Sequence, residues 1–335
     1  MRYLILQYGY ENDRMILRDL EEQPNVRMAF LHPMQQSLWR RGMSKLHGKA
    51  ARLAHRPQWQ GSGWMREAAA ADCLIVLACC LVELELDDWE ELRKRNPQLR
   101  IVLLLWDAMH THSPMMEAAR EKILRFGWDC VLSFDREDCA EFGFTWTGLC
   151  YYSRTEEDGI LAAGASDLFY IGTDTAERRA EVAAICRCLS ASGARSDMVL
   201  VPRPSLADRL ALHLLHRRRS RSLMDGLRLA PTGLTYREVL AHTLSANCVL
   251  ELVRPGQRTQ TLRYFEAVAY GKKLLTNFAG VRDLPFYDER YMRVFKKAED
   301  IDVDWVKARE PADYGYAGEF SPVRLLGILE ERLRL

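Results

Sequence analysis

The stretch "QTLRYFEAVAYGKKLLTN", residues 260–277, brings together side chains that can hold phosphates and hydroxyls. Arg263 can pair with phosphate oxygens. Glu266, about one helical turn further on, can accept two hydrogen bonds from the hydroxyls of a ribose or another sugar. Thr259 and Thr261 stand where the helix begins and can cap it or donate their hydroxyls, and Gln257 lies in the loop "RPGQRTQ" that leads in. The first N–H groups of a helix are unpaired and carry partial positive charge, which suits an anion. Loop, helix start, Arg263 and Glu266 together fit a diphosphate at one end and a sugar at the other. The competing reading is an exposed Arg263–Glu266 pair at i,i+3 that only stabilises the helix.

Other positions carry chemistry of their own. Asp107 follows a strand in "LLLWDAMH", where a carboxylate can deprotonate a hydroxyl or cap the next turn. His110 and His112 stand beside it, and either can serve as the base. An HxH beside one Asp is a weak metal signal, and no metal is expected. Gly172 in "YIGTD" suits a backbone that passes close to phosphates, with Arg178 and Arg179 one turn into the following helix. Glu251 ends the strand "CVLELV", either within reach of the same ligand or paired with Arg254. Lys272, just past Gly271, can add a cation to the diphosphate. Gly9 in "QYGYEN" lets the first loop pass close to a ligand or makes an ordinary turn. The triplet "DVD" (302–304) is best explained as a helix cap.

These residues need a frame. Apolar runs at 2–7, 26–31, 73–78, 100–106 and 130–134 predict strands, and 87–96 and 113–127 have helical periodicity. The scheme repeats with strands at 167–172, 198–201, 248–253, 273–277 and 291–295 and helices at 175–191, 235–245 and 261–270. Strands without polar alternation, separated by helices, predict parallel sheets covered on both faces. On the helix near 261–270, Leu262, Phe265, Val268 and Ala269 share a face toward the sheet, and Gly271 supplies the left-handed stop. The polar stretch 151–167 divides the chain into domains over 1–155 and 156–335. The amphipathic end "SPVRLLGILEERLRL" is a final helix, able to return to the first domain. The expected fold class is α/β, with two Rossmann-like domains whose parallel sheets face each other across a cleft. Ligands bind beyond the carboxyl ends of such strands.

The 335 residues suit two domains, and a net charge of +1 points to no class of partner. Nine cysteines, an odd number with no CxxC pair, predict free thiols in a reducing compartment. No apolar run approaches the ~20 residues that span a bilayer, so a cytoplasmic location is expected. Between Glu22 and Glu67 there is no acidic residue, while Arg27, Arg40, Arg41, Lys45, Lys49, Arg52, Arg56 and Arg66 accumulate. The basic segment 27–66 therefore suits peripheral contact with an anionic membrane, or is a solvated face. A second basic run, "HRRRSRS" (216–222), lacks a surrounding nucleic-acid module, and no nucleic acid is expected as partner. The absence of GxGxxG, GxxxxGK[ST] and GxSxG removes the simplest dehydrogenase, P-loop and hydrolase readings.

The segment "GQRTQTLRYFEAVAYGKKLLTN" resembles the carboxyl-domain motif of GT-B-type glycosyltransferases. Residues 100–110, 130–144, 167–182 and 234–252 resemble a bacterial subgroup tied to capsule, lipopolysaccharide and other surface glycans. The resemblance covers roughly 100–295. It implies a nucleotide sugar (UDP-linked or similar) as substrate, no separate cofactor, no required metal, and a glycan or lipid-linked glycan as acceptor. Glu266 would bind ribose or sugar hydroxyls, while Arg263, Thr261 and the 257–261 backbone hold the diphosphate. Two departures stand out. The retaining GT-B motif has a second glutamate eight positions earlier, where this chain has Arg258. Lys272 and Lys273 replace a small residue and a proline. The altered first-glutamate position favours, as the alternative, a non-catalytic relative that binds a nucleotide or glycan.

Overall fold

The computed structural model describes residues 1–31, 63–111, 113–150, 152–202, 205, 220–254 and 256–333. Most of the basic segment 27–66, the start of the run at 216–222, and His112 lie outside these residues.

The chain divides into two compact units, Met1–Ser153 with Pro255–Gln257 and Glu319–Leu335, and Arg154–Arg254 with Arg258–Gly318. In the first unit, β1 (Tyr3–Gln7), β2 (Val26–Phe30), β3 (Cys73–Leu77), β4 (Arg100–Leu104), β5 (Cys130–Ser133) and β6 (Thr145–Trp146) form one sheet ordered β2-β1-β3-β4-β5-β6. Every pairing is parallel, with Tyr3 beside both Val26 and Cys73. All five residues of β1 and of β3 are buried. This explains their unbroken apolar runs, because a parallel sheet is covered on both faces.

The second unit holds β7 (Ser166–Thr173), β8 (Ser196–Val201), β9 (Arg221–Met224), β10 (Leu227–Leu229), β11 (Ala246–Glu251), β12 (Lys273–Thr276) and β13 (Met292–Val294). Their order is β13-β12-β11-β7-β8-β10-β9, and only the edge pair β9–β10 is antiparallel. That short hairpin has no counterpart in the expected strands. The core beneath this sheet joins Leu168, Val182, Ile185, Leu189, Met198, Leu200 and Leu250.

The helices start where the sequence offers a cap. The Ser113, Asp135, Thr175 and Thr235 side chains each accept backbone N–H groups at the starts of helices 114–125, 136–142, 176–191 and 236–245. Asp302 of "DVD" accepts the Trp305 N–H at 3.0 Å, so it is a helix cap. Helix Arg324–Leu333 groups with the first unit, burying Leu325, Leu326 and Leu329. Among the described residues no helix is long and apolar enough to cross a membrane. All nine cysteines are free thiols.

Candidate functional sites at two switch points

In an open parallel sheet the crevice for a ligand lies where successive crossovers leave in opposite directions. In the second unit the chain runs from β7 to β8 on one side and later places β11 on the other. The switch point is therefore at the carboxyl ends of β7 and β11, where Gly172 and Glu251 stand.

Glu251 is fully buried and its partners differ from the expected Arg254. One carboxylate oxygen accepts the Thr261 N–H at 2.6 Å and the Thr261 hydroxyl at 2.9 Å; the other accepts the Thr276 hydroxyl at 2.7 Å. Burial pushes this carboxyl up, while the bonds from Thr261 and Thr276 and the charge of Arg263 oppose the rise. Thr261 also accepts the Arg263 N–H at 3.2 Å as the cap of helix Leu262–Ala269. Its donors are thus spent on Glu251. The expectation that Thr261 donates to a diphosphate is corrected on that ground: Thr261 and Glu251 fix the helix start.

The helix is enclosed nearly all round, since Tyr264 through Tyr270 are all buried. Arg263 and Glu266 do form an ion pair, but it is not an exposed one, with side chains 15% and 3% exposed. Burial raises Glu266, and Arg263 counters it. Tyr270 reaches Thr155, donating to its carbonyl at 3.1 Å and accepting its N–H at 2.9 Å. Gly271, at φ +58°, ends the helix as expected, with the Lys272 N–H returning to the Ala267 carbonyl at 2.8 Å.

Gly172 answers a packing demand. A Cβ there would stand 2.0 Å from the hydroxyl of Tyr170, two residues earlier on the same face of β7. Burial pushes the Tyr170 phenol up to about 12, and the charges of Arg178, Arg263 and Arg254 oppose that rise. Arg178 is steadied by donating to the Leu252 carbonyl at 3.0 Å, whereas Arg179 is turned to Asp174. Glu181, raised by burial and countered by Arg178 and a hydrogen bond with Asn277, supplies the opposing charge.

Lys272 is corrected outright. Its ammonium donates to the Leu244 and Ala246 carbonyls at 2.5 and 3.1 Å. Those residues lead into β11, so Lys272 lies at the amino ends of the strands, opposite Glu251. Lys273 is buried as well, closing the Trp305 and Ala308 carbonyls. Gln257 is half-buried and groups with the first unit rather than with Arg263.

In the first unit the chain leaves β1 for β2 on one side and returns to place β3 on the other. Asp107 and His110 follow β4, one strand away from this switch point. Asp107 is half-buried, and His110 meets Glu141 at 2.8 Å on the surface. The turn that carries both is fixed by Asp138, which accepts the Met109 N–H at 2.8 Å and is pushed up to about 6 by burial.

The switch point itself holds residues the sequence reading passed over. Asp13 stands in the helix after β1, with Cys79 after β3 donating weakly to it at 3.7 Å. Burial pushes the Asp13 carboxyl up to about 7, and the Cys79 thiol opposes the rise. A carboxylate that exchanges its proton near neutral pH can act as a general base. Its sequence signal was its place, a few residues past the first strand and just after the flexible Gly9. Among the described residues no group of three or more His, Cys, Asp or Glu is arranged to hold a metal.

No protein-family model and no curated protein matches the sequence. Solved structures do. The apo structure of OtsA aligns over 100% of both chains at 12% identity, with a TM-score of 0.50. A UDP-forming α,α-trehalose-phosphate synthase from Burkholderia xenovorans aligns over 99% of this chain and 98% of its own at 14% identity, also with a TM-score of 0.50. The likeness is one of fold alone: two α/β domains with parallel sheets.

Proposed function

We propose that the protein is a glycosyltransferase that moves a sugar from a nucleotide-activated donor to an acceptor hydroxyl. The observation that carries this reading is the pairing of opposite chemistries at corresponding places. The second unit's switch point carries Arg178, held at the Leu252 carbonyl, and Arg263 at the start of its helix, while the first unit's presents Asp13 beside Cys79.

In this reading the arginines and the start of helix 262–269 stabilise the donor diphosphate and the charge that builds on it as it leaves. Asp13 takes the proton of the acceptor hydroxyl. The acceptor oxygen forms a bond to the anomeric carbon as the bond from that carbon to the phosphate oxygen breaks. Glu266 acts through Arg263, holding its charge in place. Asp107 and His110 belong, in this reading, to the acceptor side. No cofactor beyond the donor and no metal enters the scheme. The motif resemblance directs the acceptor toward a glycan or lipid-linked glycan of the bacterial surface, made at the cytoplasmic face, where the basic segment 27–66 would rest on anionic lipid.

A second reading, a non-catalytic nucleotide- or glycan-binding partner, is favoured by one observation: Thr261, Glu251 and Glu266 are all committed to internal bonds. Turnover separates the two. Nucleoside diphosphate release from a panel of UDP-, GDP- and dTDP-sugars, with mixed glycosides as acceptors, should occur with wild type and fall at least about a hundredfold in Asp13→Asn. Equal release by wild type and variant would remove Asp13 from the mechanism, and no release at all would favour the partner role.

A further inference from the structure

β1 ends at Gln7, and the next three residues are Tyr8, Gly9 and Tyr10. Gly9 adopts φ +110°, a conformation that side chains resist. The turn it makes brings the two flanking rings together, with centroids 4.7 Å apart and planes at 21°. Tyr8 is half-buried, and its hydroxyl donates to Glu83 at 2.6 Å. The inner ring is therefore held at both its face and its tip. Tyr10 remains 55% exposed in the whole chain. A lone exposed tyrosine needs no explanation, but this one lies on a fixed aromatic support at a topological switch point. Tyr10 is the N-cap residue of helix Glu11–Ile16, which carries Asp13, and Glu83 is held by the hydroxyl of the Tyr8 ring beneath it.

This arrangement has a definite complement. A sugar ring carries one face of C–H groups, which stacks on an aromatic ring, and a rim of hydroxyls, which donate to carboxylates. A phosphate or carboxylate ligand would be repelled by Asp13 and Glu83. A planar phenol would stack as well, but brings a single hydroxyl to two acidic groups.

We propose that Tyr10, backed by Tyr8, is the surface on which the acceptor's sugar ring rests, so that the acceptor is a saccharide with one hydroxyl directed at Asp13. The identity of the ring as acceptor rests on the transferase reading above; its binding to Tyr10 does not, and is measured without turnover.

The test is saturation-transfer NMR with methyl α-glucoside, galactoside, mannoside and rhamnoside, and with phenol, on wild type, Tyr10→Ala and Tyr10→Trp. Calorimetry with UDP, GDP and dTDP runs in parallel. Transfer to the ring C–H protons of at least one glycoside is expected with wild type. It should fall about tenfold or more in Tyr10→Ala and persist in Tyr10→Trp, with nucleotide affinity in Tyr10→Ala unchanged within about twofold. Absence of glycoside signal in wild type, equal signal in Tyr10→Ala, or transfer to phenol alone would each overturn the proposal. Glycoside binding that depends on Tyr10 with no nucleotide binding in wild type would uphold this surface and defeat the transferase reading.

Discussion

Thr261 gives its backbone N–H and its hydroxyl to the same carboxylate oxygen of Glu251, at 2.6 and 2.9 Å. One buried carboxylate thereby ties the end of β11 to the start of the helix that carries Arg263 and Glu266, and through Thr276 to the end of β12. Replacing it with alanine would leave three donors without their acceptor in a site closed to water. Each such loss costs ~1–3 kcal/mol, so Glu251→Ala should lower stability by ~3 kcal/mol or more in urea unfolding. Glu251→Gln keeps one acceptor for Thr261 and a donor that the Thr276 hydroxyl can accept, and should lose only ~1 kcal/mol. Equal losses in the two variants would contradict this account of Glu251.

Asp13 sets stability and activity against each other across neutral pH. Its folded pKa, about 7, lies above the unfolded value near 3.9. Between those values the folded chain holds the extra proton, so the stability this group contributes falls as pH rises from ~4 to ~7 and is level on either side. Asp13→Asn removes that dependence. The variant should gain on wild type over the same window, by ~2 kcal/mol at pH 8 in urea unfolding. Transfer by wild type should rise as pH passes 7, because the base must be ionised. A variant no more stable than wild type at pH 8 would place the Asp13 pKa elsewhere.

Lys272 separates a binding role from a structural one. Its ammonium closes the carbonyls of Leu244 and Ala246 at the amino edge of the sheet. Lys272→Met should lower stability by ~1–3 kcal/mol and leave nucleotide affinity within about twofold. A tenfold loss of affinity in calorimetry would contradict its placement.

Gly172→Ala should destabilise by ~1–3 kcal/mol, the range for overpacking, because the new methyl meets the Tyr170 ring and hydroxyl. Truncating the ring in the double variant Gly172→Ala/Tyr170→Ala should make the Gly172 change nearly neutral, as a double-mutant cycle would show. A Gly172 cost unchanged by the Tyr170 truncation would assign the glycine to something other than this contact.

Much of the frame was legible because a parallel sheet buried on both faces writes itself as apolar runs, as in "YLILQ" and "CLIVL". The stop at Gly271 follows from local chemistry and was read correctly, whereas caps such as Ser113 and Thr235 lie at the starts of the expected helices without having been singled out. The short strands β6, β9 and β10 were not, since two to four residues carry too little periodicity. Site residues were harder for a different reason. Helical spacing places Arg263 and Glu266 together, and the structure keeps them so, but spacing cannot say whether that face meets solvent or protein. The sequence neighbours Gly271 and Lys272 suggested one site, yet Lys272 turns to the opposite end of the sheet. Asp13 was missed because its altered proton affinity comes from burial beside Cys79, a residue 66 positions away.

The most direct measurement is calorimetric titration of the protein with UDP, GDP, dTDP and CMP, run beside Arg178→Ala. The account predicts that one of these nucleotides binds wild type, and that the variant binds it about tenfold more weakly or worse, as expected when a guanidinium partner of a phosphate is lost. Binding of none of the four, or equal affinity in wild type and Arg178→Ala, would contradict a donor site at the carboxyl ends of β7 and β11.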